Sequence, residues 1–183
     1  MKKYLLIVTL MGIASITTGL SQTEQGNIML GGGASTGLYF DDGYQRFSIS
    51  LYPNVGYFAI DNLAVGIYMP LGYTKRENSS SLNYGIGPFI RYYQMYEDNM
   101  GIFVGGKGGI IGNTYKANED KYTDWNYYLG LETGVAYFLN ESVGLEVYLD
   151  YTYYNYGNSL IDARSDNSSL TLNLGFQVYF DPE

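Results

Sequence analysis

Leu170-Thr171-Leu172-Asn173-Leu174-Gly175-Phe176-Gln177-Val178-Tyr179-Phe180 is the stretch from which the rest of this chain can be read. Leu170, Leu172, Leu174, Phe176, Val178 and Phe180 share one parity; Thr171, Asn173, Gly175, Gln177 and Tyr179 share the other. Side chains along a strand point alternately to opposite faces, so this is a strand with one apolar and one polar face. Its eleven residues, tilted by about 45°, rise roughly 25 Å, the height of the apolar band of a transmembrane barrel.

The same alternation recurs upstream, over residues 27–39, 45–58, 63–73, 82–92, 102–110, 127–137 and 143–153. The segment 27–39 is the least apolar, diluted by Gly31-Gly32-Gly33, and Pro53 interrupts the apolar parity of 45–58. The expectation is an all-β fold: an eight-stranded antiparallel up-and-down transmembrane β-barrel with both termini at one end. Short turns are expected at Asp61-Asn62, Glu97-Asp98-Asn99 and Asn140-Glu141-Ser142. They alternate with connections at Asp41-Asp42-Gly43, Lys75–Ser81, Lys116–Asp124 and Gly157–Asn167 that tend to be longer. Short periplasmic turns and longer extracellular loops have this asymmetry.

Composition narrows the function. The chain has 183 residues, 22 Tyr, 24 Gly, 15% charged residues, no Cys and no His. A net charge of −8 argues against nucleic acid, whose phosphates require clustered Lys and Arg. Without Cys there is no disulfide or thiolate chemistry, and without His there is no Ser-His-Asp triad. Residues 1–21 have the form of a signal peptide. Lys2 and Lys3 precede a mostly apolar run, Tyr4–Ile16, and Gly19-Leu20-Ser21 supplies small residues for cleavage. The barrel domain is then 22–183, with a net charge of −10 once the two lysines are removed.

Alternation alone does not tell a membrane barrel from a soluble lipocalin-like barrel holding an apolar ligand. The charges do. Arg91, Lys107, Glu132, Glu146 and Asp150 all fall on the less apolar parity, among Gly, Tyr, Ser and Asn. A Lys or Arg facing lipid at mid-membrane costs about 2–4 kcal/mol, so a membrane barrel keeps such residues inside. There they must pair, and Lys107 with Glu132 is the expected pair. Tyr57-Phe58, Tyr92-Tyr93, Tyr137-Phe138 and Tyr179-Phe180 end alternate strands at one edge, where they read as half of an interfacial aromatic girdle.

Other motifs carry less. Gly101 to Gly108 approaches a phosphate-binding loop around Lys107, but it lacks the Ser or Thr and reads as strand. Glu132, Glu146 and Asp150 serve better as counter-ions than as the paired acids of a hydrolase. Asp162, Asp166 and Asn167 do not have the spacing of a calcium loop.

Pro53-Asn54-Val55-Gly56-Tyr57-Phe58 followed by Asp61-Asn62-Leu63-Ala64-Val65-Gly66 resembles the small outer-membrane β-barrel domain family of Gram-negative bacteria. Gly87-Pro88-Phe89-Ile90-Arg91-Tyr92-Tyr93 and the Tyr137-Phe138 turn resemble later hairpins of that family. The resemblance implies insertion by the outer-membrane assembly machinery, which reads a last strand matched here by Asn173, Gly175, Val178 and Phe180. The tail Asp181-Pro182-Glu183 departs from members that stop at the aromatic. The expected protein is a monomer in outer-membrane lipid, without cofactor or catalytic site. Its role is structural or surface-interacting, and its interior is filled by side chains. A narrow channel gated by Arg91, Lys107 and Glu132 is the alternative.

Overall fold

The computed structural model describes residues 21–182 apart from 42–43, 77–78, 98, 118–119 and 156–165. The signal segment up to residue 20, Asp42, Gly43, Asp98, most of the loop from Gly157, and Glu183 lie outside the described residues. A short 3-10 turn, Ser21–Thr23, precedes nine strands. They are β1 (Ile28–Asp41), β2 (Tyr44–Ile60), β3 (Leu63–Tyr68), β4 (Leu71–Lys75), β5 (Ser79–Glu97), β6 (Met100–Ala117), β7 (Asp120–Asn140), β8 (Val143–Asn155) and β9 (Asp166–Phe180).

All pairings are antiparallel, and β9 pairs with β1 from Ile28↔Phe180 to Ala34↔Leu174, so the sheet closes. β3 and β4 both pair with β2 and β5 and count as one stave, which makes a ring of eight. The break between them has a local cause. Pro53 and Pro70 stand on adjacent staves, and neither has an N–H to donate. Met69 N to Pro53 O (2.9 Å) and Gly85 N to Pro70 O (2.9 Å) bridge the gap.

The register fixes the barrel's dimensions. Ile28 leads round the sheet through Tyr57, Val65, Ile90, Gly106, Leu131 and Tyr151 to Leu170. Continuing the β9–β1 register from Leu174↔Ala34 sets Leu170 opposite position 38, ten residues beyond the start. With about 3.3 Å per residue and about 4.8 Å between strands, a stagger of ten over eight staves gives a tilt of about 40° and a backbone radius of about 8 Å. Such a lumen holds side chains and little else.

The apolar parity faces outward. Leu131 is 67% exposed and Leu172 64%, whereas Glu132 is 5% exposed. A soluble ligand-binding barrel has the opposite arrangement, so that alternative is set aside. Small residues make room for large ones inside, as a narrow lumen requires. Tyr148 of β8 occupies the space left by Gly33 of β1 and Gly134 of β7; a Cβ on either glycine would collide with it. The weak hydrophobicity of β1 therefore has a packing reason.

Two connections are shorter than expected. Lys116–Asp124 is not a loop: Lys116 pairs with Lys121 and Asn113 with Asp124, which carries the β6–β7 ladder on to Ala117↔Asp120. Lys75–Ser81 likewise contains the paired ends of β4 and β5. Cross-strand contacts hold the β6–β7 extension. The Thr114 and Thr123 hydroxyls lie 2.8 Å apart, and the Tyr115 and Tyr122 rings stack at 5.5 Å.

The opposite, turn-bearing end is crossed by the chain that precedes β1. Asn62 N donates to Thr23 O (2.7 Å), and Gln22 Nε2 donates to Asn140 O (3.2 Å). Those two turns stand on opposite sides of the ring, joining β2 to β3 and β7 to β8. Residues 22–27 thus form a strap over this mouth, and its first two residues, Gln22 and Thr23, are buried.

Candidate functional site

The interior charges converge into one cluster. Each follows from parity: Arg91 on β5, Lys107 on β6, Glu132 on β7, and Glu146 and Asp150 on β8 all point inward, and all are buried. Arg91 donates from Nε (2.7 Å) and Nη2 (2.6 Å) to Oε1 of Glu132. Its Nη1 reaches Oε2 of Glu146 at 3.0 Å and the Tyr93 hydroxyl at 3.1 Å. The guanidinium lies 4.3 Å above the Phe103 ring, a cation–π contact strengthened by the burial of both side chains.

Lys107 completes the chain of charges. Its ammonium donates to Asp150 and, at 3.4 Å, to Oε2 of Glu132. Glu132 therefore bridges the two cations, one oxygen to each. Lys107 was expected to take Glu132 as its partner; Asp150 lies closer. The register explains this, because Asp150 is the direct cross-strand partner of Glu132 and presents a second carboxylate on the same layer. Thr152 Oγ1 donates to the other oxygen of Asp150 (2.6 Å), and Gln177 Nε2 donates to Glu146 (3.3 Å). Across the lumen, the Lys107 ammonium sits 4.1 Å over the Tyr68 ring of β3. Two cations thus serve three carboxylates, and contacts reach from β3 to β9.

Tyr68, Tyr148, Thr152 and Gln177 join this cluster without having been singled out in the sequence, and Tyr93, read there as girdle, joins it too. Parity was the signal that could have found them: Tyr93, Tyr148 and Thr152 lie two residues from an inward charge on their own strands, and Tyr68 and Gln177 share the less apolar parity of theirs. The glycine run around Lys107 is continuous strand, as the sequence suggested. Asp162 lies outside the described residues, and the backbone of Asp166 and Asn167 is paired within β9 against β8.

The aromatic girdle needs correction. Tyr57, Tyr92, Tyr137 and Phe180 face outward, but Phe58 (0% exposed), Tyr93, Phe138 and Tyr179 are buried inside. Adjacent residues of a strand cannot share a face, so each aromatic pair is divided between lipid and lumen. The inward four form a second cluster beneath the strap, with ring centroids 5.9 Å apart for Phe58–Tyr93 and 5.4 Å for Phe138–Tyr179. Tyr93 joins it to the charges above by donating to Glu146 (3.1 Å).

The last-strand positions divide in the same way. Asn173 and Gly175 are buried, Val178 is half-buried and Phe180 is exposed. Asn173 Nδ2 donates to Thr171 Oγ1 (3.1 Å). At the loop end, a cavity of about 420 Å³ in the barrel mouth is lined by Arg76, Ser80, Asn83, Asn113 and Lys116 among others.

Comparison with known proteins identifies the architecture and no activity. No protein-family model matches the chain, and no curated protein sequence matches it. Among solved structures, Neisserial surface protein A (NspA) superposes with a TM-score of 0.61 at 18% identity, covering 84% of this chain and 94% of that one. Ail, the attachment invasion locus protein of Yersinia pestis, superposes with a TM-score of 0.53 at 11% identity, covering 85% and 99%. The N-terminal β-barrel domain of Pseudomonas aeruginosa OprF gives 0.50 at 14% identity, covering 85% and 98%. With its closed ring of eight staves and outward apolar face, this chain has the fold of the small eight-stranded outer-membrane β-barrels.

Proposed function

We propose that the protein is a closed, non-catalytic barrel of the Gram-negative outer membrane, acting in envelope structure or in surface contact through its loop end. The observation that carries this reading is the interior cluster. Arg91 and Lys107 are held by three carboxylates across a lumen of about 8 Å backbone radius. The strap at residues 22–27 and the aromatic cluster beneath it support the same reading from the turn end. A structural or contact role needs no moving part and no reactive group, and the chain contains neither His nor Cys.

Planar-bilayer recording of the refolded protein tests this directly. The expected result is a membrane without stable unitary conductance; large, steady channels would overturn the closed interior. The excess of one carboxylate in the cluster favours a second reading, a narrow path for small cations. On that reading Lys107→Ala raises cation conductance while the barrel stays folded.

A further inference from the structure

The chain is acidic, yet its exposed lysines gather on one flank. Of the ten Lys and Arg, two lie in the expected signal segment, and Arg91 and Lys107 are inside the barrel. Four of the remaining six, Lys75, Arg76, Lys116 and Lys121, lie at the loop ends of β4, β6 and β7. The register sets three of them in line: Lys75 pairs with Ser80, Ser80 with Lys116, and Lys116 with Lys121. At about 4.8 Å between strands, the row runs about 15 Å around the barrel.

This row faces away from the lumen. Lys75 shares the parity of Leu71 and Tyr73, Lys116 that of Ile110, and Lys121 that of Trp125, Tyr127 and Leu129. Those neighbours are exposed apolar or aromatic residues of the outer wall. Tyr73 lies two residues below Lys75, and Trp125, 56% exposed and packed edge-on against Tyr84, lies four below Lys121. Tyr and Trp mark the boundary between hydrocarbon and headgroups. The lysines therefore stand one layer beyond that boundary, at headgroup depth.

Among the described residues, no ion pair involves Lys75, Lys116 or Lys121; the ion pairs lie in the barrel interior. Like charges directly opposite one another destabilise a strand pair, and Lys116↔Lys121 is such a pair. An anion outside the chain would relieve that repulsion.

We infer that Lys75, Lys116 and Lys121 form a docking row for the phosphate groups of an anionic lipid in the leaflet around the loop end. A lipid-borne phosphate fits better than a free one, because Lys75 and Lys121 stand on the outer wall clear of the mouth cavity, which only Lys116 of the three also borders. The inference rests on the membrane placement proposed above, but not on the interior being closed.

Trp125 is the only tryptophan and sits below the row, so its emission is the reporter. The protein in a non-ionic detergent is titrated with bis-phosphorylated lipid A, with the dephosphorylated lipid, and with inorganic phosphate. The triple variant K75Q/K116Q/K121Q and the charge-preserving K75R/K116R/K121R are titrated alongside. Each lysine near an anionic lipid surface contributes about fivefold in binding, so the Gln variant should bind the phosphorylated lipid roughly a hundredfold more weakly and the Arg variant about as tightly as the parent. Added salt should weaken the parent's binding, because the row is exposed. Equal binding by the Gln variant, or of the dephosphorylated lipid, would overturn the inference. So would saturation by inorganic phosphate with no advantage for the lipid. Migration on gels with and without boiling reports the barrel separately, so a folded variant that loses lipid leaves the proposed placement intact.

Discussion

Replacing Arg91 by Met removes the most heavily connected charge in the barrel while keeping most of its volume. Arg91 donates to Glu132 at 2.6 and 2.7 Å, to Glu146 at 3.0 and 3.1 Å, and to Tyr93 at 3.1 Å. Without it, Glu132 keeps Lys107 at 3.4 Å, but among the described residues Glu146 has no cation left and retains Tyr93 and Gln177 as donors. The Glu146 side chain is fully buried. Removing one partner of a buried pair costs about 3–5 kcal/mol, and the upper part of that range is expected because the stranded carboxylate is the more enclosed one. Urea unfolding in lipid vesicles, followed by Trp125 emission, measures the loss. Adding Glu146→Gln to Arg91→Met should recover at least half of it, since the amide leaves no uncompensated charge. A loss below about 1 kcal/mol, the size of a surface pair, or no recovery in the double variant, would refute the view that charge balance holds this interior together.

Three further substitutions probe other parts of the account. Leu131→Lys places a charge on the outward face and should cost about 2–4 kcal/mol in the same unfolding assay if the residue meets mid-bilayer hydrocarbon. Gly134→Ala pushes a Cβ into Tyr148 and should abolish the heat-shifted folded band on gels, whereas Gly72→Ala, whose nearest neighbour would be 3.5 Å away, should leave it unchanged. Phe58→Ala empties the aromatic cluster under the strap and should cost about 3–5 kcal/mol. Tyr57→Ala, on the outer wall beside it, should cost clearly less.

The staves and their two faces were legible because hydrophobic contrast is strong along them. Leu145, Val147 and Leu149 alternate with Glu146, Tyr148 and Asp150, and only one assignment keeps those acids out of lipid. Contrast disappears above the membrane. Lys121, Tyr122 and Thr123 read as loop because no apolar face marks their alternation, yet hydroxyl and ring contacts with Thr114 and Tyr115 keep them paired. The Lys107–Glu132 contact was legible, but the closer one to Asp150 was not. Parity places Lys107, Glu132 and Asp150 inside, but the stagger of the sheet decides that Lys107 lies nearer Asp150. The aromatic pairs are a different case. The alternation that identified the strands already required Phe58 and Tyr93 to turn inward, and reading both members as girdle ignored it. The strap and the lysine row had no local signal, because both depend on elements that only the closed barrel brings together.

Accessibility along the last strand tests the orientation of the whole barrel most directly. The chain has no native cysteine, so single cysteines at 171, 172, 173, 174, 176 and 177 can carry a spin label in the membrane-inserted protein. Labels at 172, 174 and 176 should collide freely with lipid-dissolved oxygen, while those at 171, 173 and 177 should be shielded from it. Oxygen contact peaking at 171, 173 and 177 instead would mean that the polar face meets lipid and the charges are not enclosed.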